Sequence, residues 1–599
     1  MSGNQTPPGL PGARPSDPGL SSAEATAREG SERSVRSARW VRNARRVRNV
    51  RQARGAEPVR GAGRGRSLWR GRGDGAGPVG PVVGGVRRVA GAALAVGAAC
   101  AIAGTSLAVL SGPAFGTTPT FTPASKGIVW KACANGAECA SLRLPVDWAR
   151  PNGPKFGLAL ARRKAADPNA RAGTMVFGPG GPGDSGVVRV IDGISRFSPE
   201  VRRRFDIVSF DPRGVGLSNP VTCSSALLAR RPSPLMKSQA DFNATLAYNQ
   251  RLRDDCRART GPLFDHADTL SMVHDLDAIR AALGDGRLTY HGSSYGTLLG
   301  EQYAETYPQR VRAMVLESVV DHSVRGARRF LELQGIAAQD AFDQFVAWCG
   351  RTEGCALHGR EVRALFADLR AQAERGELLD NKNPGAKLPA VPLVHRVWKN
   401  LYGPEWAETA NDLAALEKLN SPRAPSGTTP AHGLPQPPAS GNATTTPAPV
   451  QGKAAKTEAD PFAAIFCSDW GLPARDYREY ASLTRTMAKV APDLPYTRPL
   501  LAVAGCLGTP RPVSNPQHRL KVRGSAPILL TNGLHDPASG YAWATNVTRQ
   551  LGRTGTLLTY AGSGHGSTFR GPCMVNATDR YLLTLTLPPR GARCPAVDE

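Results

Sequence analysis

Gly-Ser-Ser-Tyr-Gly at residues 292–296 separates a short apolar run from a helical one, and that junction constrains the chain more than any other feature. Residues 287–291 (RLTYH) read as a buried strand, and residues 298–307 (LLGEQYAETY) read as a helix. A G-x-S-x-G between strand and helix makes a sharp, strained turn that presents the serine hydroxyl. Glycines at 292 and 296 suit a turn in which the two elements come too close for a Cβ. Ser294 is therefore the candidate nucleophile.

A serine needs a base, and the base needs an orienting carboxylate. Residues 527–531 (PILLT) form an apolar run followed by Asn532-Gly533-Leu534-His535-Asp536-Pro537. Residues 556–560 (TLLTY) form another, followed by Ala561-Gly562-Ser563-Gly564-His565-Gly566. Asp536 and His565 thus each follow an expected strand, in the chain order Ser…Asp…His. His565 is the candidate general base, with Asp536 holding its tautomer. His535 is the competitor, but it shares a tight loop with Asp536 and is poorly placed to pair with it.

Acyl transfer also needs donors for the oxyanion. One is the backbone N–H of Tyr295, directly after the nucleophile. The other is expected from the loop 178–186 (GPGGPGDSG), which follows the run 174–177 (TMVF). Gly181 is the favoured donor, with Gly180 next. No Lys-Ser/Thr follows, as a phosphate-binding loop would require. A further strand at 206–210 (DIVSF) leads into Asp211-Pro212-Arg213-Gly214-Val215-Gly216-Leu217-Ser218.

These residues carry a family resemblance. G-G-P-G at 180–183, D-x-R-G-x-G-x-S at 211–218 and G-x-S-Y-G-T at 292–297 resemble the proline-iminopeptidase-like branch of the α/β-hydrolases. The whole loop 178–186, Y-A-x-x-Y-P at 303–308, the segment 464–469 (AIFCSD) and Cys573…Tyr581-Leu582…Cys594 resemble, more narrowly, the secreted tripeptidyl aminopeptidases of actinobacteria. The resemblance spans residues 126–599. Leu507 stands where the family usually has tryptophan, and Glu317-Ser318 replaces a common Asp-Gly. It implies an α/β-hydrolase fold with a mostly parallel central sheet and an inserted, largely helical cap. It also implies an exported serine exopeptidase that releases short peptides, tripeptides among them, from free N-termini through an acyl-enzyme. Such an enzyme must read a free amine, and Glu301 and Asp469 are the candidate carboxylates. The alternative with the same triad is a carboxylesterase acting on small or lipid esters, since fold does not decide chemistry.

The net charge of +26 is unevenly spread over the 599 residues. Residues 1–88 carry eighteen arginines, six acids and no lysine, with few large apolar residues, and are expected to be a disordered arm or a start assigned too early. Nucleic acid is not an expected partner, because neither aromatic platforms nor zinc spacing accompany the arginines. Arg87-Arg88 precede an uncharged run at 89–110, so 89–116 reads as a signal peptide or membrane anchor. Cys100 leaves a lipoprotein reading open. The eleven cysteines become ten without Cys100, an even count that suits an oxidising compartment. Pairing sequence neighbours gives Cys133–Cys139, Cys223–Cys256, Cys349–Cys355, Cys467–Cys506 and Cys573–Cys594. No cluster has metal-ligand spacing, so no metal and no cofactor are expected. The expected organisation is a linker at 117–125, a first core segment at 126–322, a helical cap at 323–500 with a flexible insertion at 420–458, and a closing core segment at 501–599. The protein is expected outside the cytoplasm, secreted or held at the envelope.

Overall fold

The computed structural model describes residues 127–421 and 456–597. The arm at 1–88, the apolar segment at 89–116, the linker at 117–125 and most of the insertion at 420–458 lie outside the described residues.

The chain opens with strands β1 (Lys131–Ala132), β2 (Glu138–Pro145), β3 (Lys155–Arg163), β4 (Gly173–Gly178) and β5 (Phe205–Phe210). A short β6 (Thr222–Ser224) precedes β7 (Leu288–Ser293) and β8 (Val311–Glu317). After a long helical stretch come β9 (Thr457–Ala459), β10 (Ile528–His535), β11 (Gly555–Ser563) and β12 (Arg593–Cys594). Ten strands make one sheet in the order β1-β2-β3-β5-β4-β7-β8-β10-β11-β12. Pairing is antiparallel from β1 to β5 and parallel from there to β12.

The parallel strands are buried on both faces, which is why they read as short apolar runs rather than alternating ones. Ile207, Val208, Met314, Val315, Leu529 and Leu530 are all fully buried. Helix Thr269–Ala282 precedes β7 and is capped by Asp268, whose carboxylate accepts the Ser271 N–H at 2.9 Å. Helix Tyr295–Thr306 follows β7 and buries ten of its twelve residues, so it forms the centre of the fold.

Among the described residues between β8 and β10 the regular elements are helices and the short β9, which pairs antiparallel with β6. Helices Ala327–Arg351, Val362–Glu374, Ala390–Asn400 and Trp406–Asn420 share a core of their own around Phe342, Phe366, Leu393 and Trp406. Helices Pro461–Asp469, Tyr477–Val490 and Arg498–Gly505 instead pack into the main core through Phe466, Tyr480 and Leu500. Position 500, where the sequence pattern put the edge of the cap, falls inside the last of these helices.

All five cysteine pairs expected from sequence neighbours are disulfides in the structure. Cys467–Cys506 joins helix Pro461–Asp469 to the end of helix Arg498–Gly505, and Cys573–Cys594 joins helix Gly571–Thr584 to β12. Among the described residues no helix is long and apolar enough to cross a membrane.

Candidate active site

Ser294 stands directly after β7 with φ 55° and ψ −121°, a backbone conformation that non-glycine residues adopt only under constraint. Its N–H donates to the Glu317 carbonyl at 2.8 Å. Its own carbonyl accepts from the Thr297 N–H at 2.8 Å and from Thr297 Oγ1 at 2.7 Å. The elbow glycines are sterically required. A Cβ on Gly292 would lie 2.4 Å from the Gly296 carbonyl oxygen, and one on Gly296 would lie 2.4 Å from the Gly178 carbonyl oxygen. The second contact is with the end of β4, so the elbow is pressed against the strand that feeds the oxyanion loop.

Asp536 follows β10, and His565 lies two residues past β11. His565 Nδ1 sits 3.0 Å from each Asp536 carboxylate oxygen. Asp536 is buried, and its Oδ1 also accepts the N–H groups of Ala538 at 2.9 Å and Ser539 at 2.8 Å. Burial disfavours the imidazolium of His565, but the Asp536 carboxylate outweighs it and the pKa is raised. His535 turns away and places Nδ1 2.8 Å from Asp340 Oδ2. The cap reaches this corner through Tyr402, whose carbonyl accepts the His565 N–H at 2.9 Å. The rings of Tyr402 and His565 lie 4.8 Å apart.

Glu317, read from sequence only as a departure from the family pattern, ties the elbow to the histidine loop. One carboxylate oxygen accepts the N–H groups of Ser567 and Thr568, each at 2.9 Å, and the Thr568 hydroxyl at 2.6 Å. The other pairs with Arg196 and lies 3.2 Å from His291 Nε2. Burial pushes this carboxyl up, yet Arg196 and His291 hold it well below the usual range. Beside it, the Ser318 hydroxyl oxygen accepts the Gly566 N–H at 2.8 Å.

Gly181 and Tyr295 line the same cavity as Ser294. A Cβ on Gly180 would sit 3.0 Å from the Ser294 Cβ, so both expected glycines border the nucleophile. The loop is fastened by Asp211, whose Oδ1 accepts from Ser185 Oγ at 2.5 Å and the Val187 N–H at 3.0 Å. Arg213 forms a buried pair with Asp275, at 2.7 Å and 2.6 Å. The D-x-R-G-x-G-x-S motif is thus a brace for the oxyanion loop.

Neither candidate for reading an amine reaches the cavity. Glu301 is fully buried on helix Tyr295–Thr306, with both carboxylate oxygens lacking a partner among the described residues, and burial raises its pKa well above normal. Asp469 is also fully buried, and both its oxygens are occupied. It accepts from Thr269 N at 2.9 Å, Thr269 Oγ1 at 2.6 Å, Asn515 Nδ2 at 2.9 Å and the Tyr295 hydroxyl at 2.6 Å. Asp469 therefore holds the side chain of Tyr295, the residue after Ser294, and links the cap to the elbow. Both assignments are corrected on these contacts.

The cavity beside Ser294 measures about 100 Å³. Trp398, Tyr402, Phe462 and Phe466 from the cap, with Trp470 and Trp543, make its wall largely aromatic. Among the described residues no Asp or Glu lines it, and Arg498 is its charged residue. Among the described residues no group of three or more His, Cys, Asp or Glu could hold a metal ion.

Strand, elbow, acid and histidine in this order on a parallel sheet agree with a family model described as alpha/beta hydrolase fold, which matches residues 173–572. The chain belongs to the α/β-hydrolase family. Serine protease Hip1 of Mycobacterium tuberculosis is 31% identical over 521 residues, covering 80% of this chain and 92% of that protein. Tripeptidyl aminopeptidase of Streptomyces lividans is 28% identical over 499 residues, covering 79% and 87%. Carboxylesterase B of Mycobacterium tuberculosis is 30% identical over 513 residues, covering 80% and 92%. The branch of the family expected from the motifs is the one these relatives represent.

Proposed function

We propose that the protein is a serine peptidase that cuts short peptides from the free N-terminus of its substrate. Ser294 Oγ attacks the scissile carbonyl while His565 Nε2 takes its proton, and the Tyr295 and Gly181 N–H groups receive the oxyanion. The amine leaves with that proton, and water then hydrolyses the acyl-enzyme by the same route. The observation that carries this reading is the Asp536–His565 pair, 3.0 Å apart at the same strand-end edge as Ser294, which itself lines a cavity walled by the cap residues Trp398, Tyr402 and Phe462. The named activities of Hip1 and the tripeptidyl aminopeptidase support peptide chemistry, and the three-residue length of the product rests on the latter alone. Five disulfides support a site of action outside the cytoplasm.

A carboxylesterase is the second reading, favoured by one observation: among the described residues no carboxylate lines the cavity to meet a free amine. A matched set decides between them with the full-length protein. It contains a tripeptidyl chromogenic amide with a free amine, its N-acetyl form, single-residue amides including proline, and a short-chain ester. Cleavage of the free tripeptide amide alone, lost in Ser294→Ala, is the expected result. Ester turnover without amide turnover would remove the peptidase reading.

A further inference from the structure

A second cavity of about 200 Å³ adjoins the one at Ser294. The two share Phe462, Arg498 and Ala502 in their walls and are immediate neighbours. Among the described residues the basic side chains of the second cavity are Arg231, His395 and Arg498, and no Asp or Glu lines it. Arg231 pairs with Asp460 at 2.5 Å and also meets Tyr248, so Arg498 is the cation of this cavity without an acidic partner among the described residues. Arg498 lies over the Phe462 ring at 4.3 Å and has no acidic partner among the described residues. The Nδ1 of His395 is buried without a hydrogen-bond partner among the described residues, and its ring lies 5.5 Å from that of Trp398, which lines the first cavity. A guanidinium without an acidic partner among the described residues, in the same cavity as an unpartnered imidazole nitrogen and sharing a wall with the cavity at Ser294, matches the donor pattern that recognises a carboxylate.

We propose that the Arg231–His395–Arg498 cavity is a substrate subsite for a carboxylate, so that the enzyme selects substrates carrying a negative charge near the scissile bond. This deepens the acyl-transfer reading and rests on Ser294 as the nucleophile. Two sources supply the same group: an acidic side chain on the N-terminal side of the bond, or the free C-terminus of a short peptide. The neutral state of His395 fits this role. Burial lowers its pKa first, and then Arg498 and Lys399 do, leaving a ring that can donate one N–H without adding charge.

The test compares kcat/KM of the full-length protein for peptides of equal length. One pair differs only by Glu against Gln before the scissile bond, with the C-terminus amidated. The other is neutral, with the C-terminus free or amidated. The pair that shows the preference identifies the source. The charged member is expected to be favoured on the order of ten- to hundredfold, as for one or two charge-assisted hydrogen bonds. Arg498→Lys should keep the preference, and Arg498→Glu should reverse it in favour of a Lys-containing peptide. A ratio near one in both pairs, or a ratio that Arg498→Glu does not move, would overturn the subsite. If no peptide is cut at all, the peptidase reading fails by itself. The subsite is then decided by a glutarate half-ester against an uncharged ester of the same length, with the same expected ratio and the same variants.

Discussion

Ser294 is held in its unusual backbone conformation by four neighbours, Glu317, Thr297, Gly292 and Gly296, none of which takes part in bond making. Replacing the hydroxyl alone should leave that frame intact, so Ser294→Ala is expected to lose about 10⁴-fold or more in kcat while unfolding at the wild-type temperature. Asp536→Asn should lose a similar factor of about 10⁴, because His565 would then favour the wrong tautomer. The pH dependence follows from the sign of the shift. Burial opposes the His565 cation, Asp536 more than offsets it, and the folded pKa lies above 6.5. The base must be neutral to accept a proton, so kcat/KM should fall as pH drops through that raised value. An acid limb centred above 6.5 that moves down in Asp536→Asn is the expected profile. A limb below 6.5, unmoved by the substitution, would contradict it. The placement of Ser294, Asp536 and His565 at strand ends was legible because each follows a buried apolar run. Glu301 and Asp469 misled because a carboxylate near an elbow looks the same in sequence whether it faces a cavity or a helix interface.

At the level of elements, β4, β7, β8, β10 and β11 deliver their C-terminal ends to one edge of the sheet, and every group of the candidate site stands there. Their apolar middles were readable. Their ends were read too short, because β10 continues through Asn532 and Gly533, and β11 through Gly562 and Ser563, residues that resemble loop. Gly296→Ala should collapse this corner, since its Cβ would meet the Gly178 oxygen at 2.4 Å, and soluble expression with any residual turnover measures the damage. Glu317 binds the histidine loop to the elbow. Glu317→Ala strands Arg196 and two loop N–H groups, and should cost about 3 kcal/mol in unfolding free energy while lowering kcat more than it changes KM. The Glu317 carboxyl is burdened by burial, but Arg196 and His291 hold its folded pKa well below the ordinary 4.5. The stability it contributes is therefore complete above pH 4.5 and is lost as pH falls through the folded value. Denaturant titrations of wild type and Glu317→Gln should diverge above pH 4.5 and approach each other in stronger acid.

Across the whole molecule, the cap has two allegiances. Four of its helices share a private core, and three belong to the main core, with Asp469 and Cys467–Cys506 fastening the latter group. No sequence pattern separates these groups, since both are amphipathic helices joined by turns. Nor does any local pattern assemble the cavity wall, whose members Gln334, Trp398, Phe462 and Arg498 come from four helices far apart in the chain. Each disulfide should add about 2–4 kcal/mol by restricting the unfolded chain. Thermal unfolding with and without reductant is expected to show a large drop, and an unchanged midpoint would mean the bonds do not form in solution.

The central claim is that Ser294 is the acylated nucleophile of a peptidase. The direct measurement is peptide mapping of the full-length protein after reaction with an activated phosphonate, with and without competing free-amine tripeptidyl amide. Modification of Ser294 alone, slowed by the competitor and absent in Ser294→Ala, is the predicted result. Modification of another serine, or labelling that survives in Ser294→Ala, would contradict it.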